Sequence, residues 1–186
     1  MATLRKRHPD IEIELILDDD VVNLIEADID IAIRISDLHE NGLVARRLWM
    51  TRWCIAASPA YIARHGTPKS LQDMANHACI TYLRRGTRVP WLWRLIDDGT
   101  VREWLPPRGL VINDGSANHV LALAGAGIVC DLSFAFHDDF VTGDMIELFP
   151  HASVPGPPVS LVWQEGVCMP VRVRSVIDHL AKHAVP

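Results

Sequence analysis

Two stretches decide the fold class: Ile11-Glu12-Ile13-Glu14-Leu15-Ile16-Leu17 and Ile29-Asp30-Ile31-Ala32-Ile33-Arg34-Ile35. Apolar residues occupy every odd position of both stretches, and this period of two is typical of a β-strand. Between them, three aspartates at 18–20 precede apolar residues at helical spacing, which predicts a short helix with a negatively charged first turn. The two strands and the helix would form a βαβ unit, in which the strands run parallel.

The rest of the chain continues the alternation of strands and helices. Further strands are predicted at 48–57, 78–82, 110–112, 127–130, 145–148 and 159–163. Helices are predicted after Ser58-Pro59, after Ser116 as N-cap, and after Pro170, where apolar residues recur at helical spacing. This pattern predicts an α/β protein with mixed, mostly parallel sheets.

The length and charge of the chain limit the folds and functions that it can have. With 186 residues it has room for one large domain or two small lobes with a sizeable core. Its 18 basic and 23 acidic side chains leave a net charge of −5. Affinity for phosphate groups comes mainly from Lys and Arg, so this balance argues against nucleic-acid binding by the chain alone.

The sequence favours a cytoplasmic protein with no membrane partner. Its longest apolar run, 120–130, is shorter than the ~20 residues that a membrane-spanning helix needs. The basic residues at 5–7 are not followed by the apolar segment of a signal peptide. The four cysteines, at 54, 79, 130 and 168, form no CxxC pair, and we expect reduced, mostly buried thiols.

No group of residues matches a known catalytic or cofactor-binding signature. Gly125-Ala126-Gly127 precedes a predicted strand where a dinucleotide fingerprint would follow one, so tight helix-to-strand packing is the better explanation. His179 and His183 could be paired metal ligands or belong to a solvated helix face. The aspartates at 18–20 could bind a cation or cap a helix. We therefore predict no catalytic residue, no metal and no cofactor, and expect that the chain is not an enzyme.

One basic segment combines arginines with tryptophans: Arg84, Arg85, Arg88, Trp91, Trp93 and Arg94. Such a pattern could stack on and clamp nucleic acid. The alternative is that the tryptophans seal a lobe while the arginines are solvated or pair with carboxylates.

Arg34 is the residue with the least obvious structural role. It lies at the carboxyl end of a predicted buried strand, and ligands of open α/β sheets bind outside such ends. The stretch 113–116 lies between a strand and a helix start, where N–H groups attract anions. Two such places in different halves suggest a polar ligand held between lobes. Alternatively, Arg34 pairs with an aspartate at 18, 19, 20 or 114.

Several motifs together resemble the effector-binding domain of LysR-type transcriptional regulators. They are Asp28 to Ile35, Leu43 to Leu48, Ala57 to Tyr61 with His65 to Pro68, Asn113 to Gly115, Leu123 to Ile128, and the closing helix from Val171 to Leu180. They occur in the family's order and approximate spacing, from about Thr3 to His183.

The resemblance implies a two-lobed fold like that of type 2 periplasmic binding proteins. Lobe I would comprise residues 1–49 completed by 164–186, and lobe II residues 50–163. A small effector, which we expect to be an anion or zwitterion, would bind between them. The effector contacts carried over from the family are Arg34, Ile35, Ser36, Asn113, Asp114 and Ser116.

The resemblance also implies partners. Such regulators contact DNA through a helix-turn-helix domain that this chain does not contain, so we expect no specific DNA binding by the chain alone. Residues 4–9 match the exit of the family's first helix, which leaves the strand at 11–17 without its preceding neighbour. An unpaired strand edge recruits other chains, so we expect a homodimer or higher oligomer. The alternative functions are a solute-binding protein of a transport system and an enzyme on the same scaffold.

Overall fold

The structure, a computed structural model, describes residues 2–18, 22–37, 41–83, 87–166 and 168–184. The α-helices in these ranges are α1 (Ala2–Arg7), α2 (Pro59–His65), α3 (Gly115–Leu123), α4 (His137–Thr142) and α5 (Val171–His183). The strands there are β1 (Ala32–Ile35), β2 (Leu43–Ala57), β3 (Cys79–Tyr82), β4 (Trp93–Asp97), β5 (Thr100–Trp104), β6 (Arg108–Ile112), β7 (Ile128–Leu132), β8 (Ile146–Leu148) and β9 (Pro155–Gln164). Within the same ranges, no helix is both long and apolar enough to cross a membrane.

The chain divides into two compact units. Unit 1 combines residues 1–50 with 157–186, and unit 2 comprises residues 51–156. The chain passes from one unit to the other inside β2 and again inside β9.

Unit 1 is built around the pairing of β1 with β9 and the packing of α5. The two strands are antiparallel, with Ile33 opposite Leu161. Helix α5 begins directly after Pro170, as predicted, and buries Val173 and Ile177 against Leu161. Leu161 and Trp163, which share one face of β9, therefore meet the apolar face of α5 in one small core.

The predicted βαβ unit at the beginning of the chain is wrong. The segment at 11–17 has no ladder of hydrogen bonds to any described strand. Leu15, Ile16 and Leu17 are 63 %, 57 % and 86 % exposed. Alternation shows which side chains share a face, but a strand forms only where a neighbour accepts its hydrogen bonds. Residues 24–28 form turns instead of an α-helix, and positions 19–21 lie outside the described residues.

Unit 2 contains a mixed sheet covered on both faces. Strand β2 pairs antiparallel with β7 and β8, whereas β3 runs parallel to β6 and β7. Neighbouring residues of a strand point to opposite faces. Ile55 and Ile128 therefore belong to one core cluster, while Cys54, Val129 and Phe136 belong to another. The mixed α/β architecture is confirmed, but the sheets are not mostly parallel: among the described strands β1–β9, β2–β7, β2–β8 and β4–β5 pair antiparallel, and the parallel pairs are those of β3 with β6 and β7. Antiparallel pairs need no crossover helix, and the predicted βαβ crossover at the start of the chain does not form.

Helix α2 follows the predicted signals at both ends. Ser58 is the N-cap, and its hydroxyl accepts a hydrogen bond from the N–H of Tyr61 at 3.3 Å. Pro59 is the first helical residue, and Gly66 follows the helix with a φ of 81°. Proline costs no hydrogen bond in the first turn, and glycine adopts a positive φ without strain.

The region 84–108 contains a hairpin that the sequence patterns did not predict. Strands β4 and β5 pair antiparallel, with Trp93 opposite Trp104. Asp98 and Gly99 connect them, and both have positive φ angles, as tight hairpin turns require. Trp93 is buried, which leaves its ring unable to stack on a nucleic-acid base.

The cysteines are free thiols, as predicted. Cys54 and Cys79 are buried, Cys130 is half-buried and Cys168 is exposed. Burial raises the pKa of both Cys54 and Cys79 to about 12, so these thiols stay protonated at neutral pH.

Candidate functional site

Arg34 is a buried cation near the end of β1. Only 8 % of the residue is exposed, and it lies opposite Ser160 of β9, which is also buried. Its Nη2 donates a hydrogen bond to the carbonyl oxygen of Val22 at 2.8 Å. A guanidinium carries five N–H donors. The bond to Val22 therefore fixes the position of the side chain at the end of β1.

Ile35 and Ser36 continue from Arg34 at the carboxyl end of β1. Ile35 is the last residue of the strand and is 43 % exposed, and Ser36 follows it half-buried. Because neighbouring residues of a strand point to opposite faces, the buried Arg34 side chain and the exposed Ile35 side chain lie on different faces of β1. Of the three residues, Arg34 is the one whose chemistry suits a carboxylate.

The second predicted group lies in unit 2, between β6 and α3. Asn113, Asp114 and Ser116 are all exposed there. The prediction that Ser116 caps the helix is wrong. Asp114 is the N-cap, and its Oδ1 accepts a hydrogen bond from the N–H of Ala117 at 2.8 Å. A cap bonds the second or third helical residue, and Ala117 is the third residue of α3.

The start of α3 carries a negative charge, whereas the sequence predicted a site that attracts anions. The Asp114 carboxylate already supplies a negative group to the first turn of α3, where the sequence predicted room for an anion. The exposed Ser116 hydroxyl and Asn113 amide add neutral donors. The start of α3 can therefore attract a cationic group as well as donate hydrogen bonds.

Two further polar residues beside α3 were missed by the sequence reasoning. Asn118 is 3 % exposed, and its Nδ2 donates to Oδ2 of Asp131 at 2.7 Å. Within the described ranges, the buried Oδ1 of Asn118 has no hydrogen-bond partner. The signal was available, because Asn118 follows Asp114 by four residues and so shares a helix face with the cap.

Asp131 is a carboxylic acid in an apolar setting. Burial raises its pKa, while the hydrogen bonds from the Leu132 N–H and the Asn118 amide partly lower it again. Desolvation disfavours the charged carboxylate, and the two donors favour it. Asp131 and Asn118 thus hold the first turns of α3 on the end of β7.

The other candidates from the sequence have structural roles or are not described. Arg84 and Arg85 lie outside the described residues. His179 is 7 % exposed, so its assignment to a solvated face is wrong: its Nε2 lies 3.2 Å from the Thr3 hydroxyl, and its ring stacks on His183. Helix α1 covers this side of α5. No group of three or more metal-ligating side chains occurs among the described residues.

The chain matches a known family over almost its whole length. The model of the LysR substrate binding domain matches residues 1–185. The HTH-type transcriptional regulator CrgA of Neisseria meningitidis serogroup B is 31 % identical over 182 residues, which is 97 % of this chain and 60 % of that protein. PtxR of Pseudomonas aeruginosa is 31 % identical over 185 residues, covering 98 % of this chain and 58 % of that regulator.

Solved structures agree with this assignment. The regulatory domain of the Neisseria meningitidis CrgA matches with a TM-score of 0.86 and 30 % identity, covering 97 % of this chain and 88 % of that one. The regulatory domain of AphB from Vibrio vulnificus matches at 19 % identity with a TM-score of 0.79, covering 98 % and 89 %. The second likeness concerns the fold alone. The predicted family and fold class are confirmed, and the chain spans about 60 % of its relatives' length.

Proposed function

Because the chain belongs to the LysR substrate-binding-domain family, we propose that it senses a small effector for a cytoplasmic transcriptional regulator and catalyses no reaction. The observation that carries the proposal is Arg34, a buried guanidinium at the carboxyl end of a strand. A guanidinium binds a carboxylate through parallel N–H donors, so an arginine at the end of a strand suits an effector that carries a carboxylate.

The proposed effector site joins two groups of residues across the lobes. Lobe I, residues 1–49 with 164–186, contributes Arg34, Ile35 and Ser36. Lobe II, residues 50–163, contributes Asn113, Asp114 and Ser116. Of the anion and the zwitterion, the capping carboxylate of Asp114 favours the zwitterion, because a negative group at the start of α3 attracts an ammonium group.

We propose that DNA is bound by another part of a longer protein and not by this chain. CrgA and PtxR are named as helix-turn-helix regulators, and the match to this chain covers about three fifths of each. The chain has a net charge of −5, which repels phosphate. We therefore assign effector sensing to this chain and DNA contact to a helix-turn-helix domain outside it.

Replacing Arg34 tests the effector site. The wild-type chain is titrated with a panel of amino acids, organic acids and neutral amides while its melting temperature is recorded. A binding amino acid at ten times its Kd stabilises by about 1.4 kcal/mol, or about 4 °C for a chain of this size. In Arg34→Ala we expect this ligand-induced shift to vanish, whereas Arg34→Lys keeps part of it.

The control is Arg172→Ala, an exposed arginine on α5 that the proposed site does not use. Only the shift caused by the ligand is compared, so a lower starting stability of Arg34→Ala does not decide the result. The assignment is wrong if neutral amides stabilise the chain and acids do not. It is equally wrong if Arg34→Ala keeps the full response.

The exposed segment at 15–17 supports self-association with a second copy of this chain. Three consecutive apolar side chains in water form a surface that another copy can cover. Leu17→Lys is expected to weaken the dimer about tenfold in sedimentation equilibrium, because burying one leucine is worth about 1.5 kcal/mol. Val141→Lys, an equally exposed position on α4, should leave the dimer unchanged. A wild-type chain that stays monomeric at all concentrations contradicts the proposal.

A further inference from the structure

A groove on unit 1 has the chemistry of a small-molecule site and plays no part in the proposed effector site. It has a volume of about 310 Å³, at the lower end of the range for ligand pockets. Strands β2 and β9, the residues just before α5 and α5 itself form its walls. The residues that line the groove are Arg46, Trp163, Met169, Arg174, Ile177 and Asp178.

The groove combines an apolar floor with a charged rim. Trp163, Met169 and Ile177 are half-buried or buried, and they supply the apolar surface. Arg174 and Asp178 are exposed and lie four residues apart on α5, so both stand on the same face of the helix. Arg46 approaches this rim from β2.

Arg174 is the cation of the rim that can bind a ligand, because Arg46 is paired with Asp178. Arg46 Nη1 lies 3.4 Å from Asp178 Oδ1, so these two side chains neutralise each other. Arg174 makes no side-chain hydrogen bond or ion pair with another residue in the described part of the chain. Two arginines and one aspartate together carry one net positive charge, which matches a ligand with a single negative charge.

We propose that this groove binds small aromatic carboxylates. The guanidinium of Arg174 donates paired hydrogen bonds to the carboxylate. The ring of the ligand packs on the face of Trp163 and removes the apolar floor from water. Inorganic phosphate fits the groove less well, because it carries more charge than the rim balances and leaves the floor uncovered.

The test is a ¹⁹F NMR titration of the full chain with 4-fluorophenylacetate, using 4-fluorophenylacetamide as a neutral match. We expect the acid to bind with a Kd of about 1 mM and the amide at least about tenfold more weakly. Arg174→Gln should weaken binding of the acid about fivefold, because it removes the exposed charge, worth up to about 1 kcal/mol, and keeps an amide. Arg172→Gln, on the same helix turn but outside the groove, should change the Kd by less than about twofold.

Arg34→Ala separates this groove from the proposed effector site, because it removes the cation of that site. Unchanged binding of the acid to Arg34→Ala, together with weak binding to Arg174→Gln, supports the groove whether or not the effector proposal holds. Loss of binding in Arg34→Ala with full binding in Arg174→Gln overturns the groove and places the acid elsewhere. Equal binding of acid and amide, or no binding of the acid at about 10 mM, also overturns it.

Discussion

Replacing Phe136 with alanine is expected to lower the melting temperature by about 10 °C, because it removes a fully buried ring and costs about 3–5 kcal/mol. Phe136 has no exposed surface. Its ring centroid lies 5.4 Å from that of His119 and 6.0 Å from that of Phe140, so the ring fills the space between α3 and α4. Alanine leaves a cavity that the surrounding helices cannot fully close.

Circular dichroism melting of both proteins measures this effect. The matched control is Val141→Ala on α4, a side chain that is 77 % exposed. Substitutions at such surface positions stay within about 0.5 kcal/mol of the wild type. A drop of less than about 3 °C for Phe136→Ala would mean that the ring is not packed as described.

Gly127→Ala is expected to destabilise unit 2 by about 1–3 kcal/mol, the usual cost of forcing an extra carbon into a well-packed site. A Cβ at this position would lie 2.8 Å from the carbonyl oxygen of Ala78 and 3.2 Å from its carbonyl carbon. The same carbonyl oxygen accepts the N–H of Ile128 at 2.9 Å, so the clash also strains the entry into β7. Both opposing atoms are backbone, and neither can rotate away.

Gly115 provides a control, because its replacement by alanine should raise the stability of the chain instead of lowering it. Gly115 starts α3, has no atom within 4 Å of an added Cβ, and does not need a positive φ. Gly115→Ala should therefore stabilise the chain by up to about 1 kcal/mol through helix propensity. Urea denaturation of both variants gives the comparison. A Gly127→Ala variant as stable as Gly115→Ala contradicts the close packing of Gly127 against Ala78.

Local signals predicted the helix boundaries and several strands well. The Ser58-Pro59 start of α2 and the Pro170 start of α5 are confirmed. In both cases the cause is local, since a cap or a fixed φ acts within a few residues. Gly127 does pack closely, but against the backbone of Ala78 just before β3, not against a helix. Asp98-Gly99 is an equally local signal that indicates the β4–β5 hairpin, although the prediction did not include this hairpin.

What the sequence could not predict depends on distant neighbours. The alternation at 11–17 matches that of a strand, yet the segment has no ladder partner among the described residues. His179 lies on a face of α5 that looked polar, but α1, at the other end of the chain, covers it. For the candidate site, the prediction that Arg34 ends a buried strand is wrong in part: Arg34 is buried, but Ile33 and Ile35 of β1 are 56 % and 43 % exposed. Ser116 was predicted as the cap instead of Asp114 because both residue types fill that role.

Because the chain passes from one unit to the other inside β2 and again inside β9, the cores of the two units are completed at different times during synthesis. Unit 2 is one continuous segment, so every residue of its core has been made once Gly156 is translated. The core of unit 1 can form only later, because it joins Ile31 and Leu48 to Leu161 and to α5. Proteins made from the N-terminus fold segment by segment, and unfinished cores attract chaperones. The first part of unit 1 is therefore translated before unit 2, but the core of unit 1 is completed after that of unit 2, so Ile31 and Leu48 stay without their partners until α5 has been made.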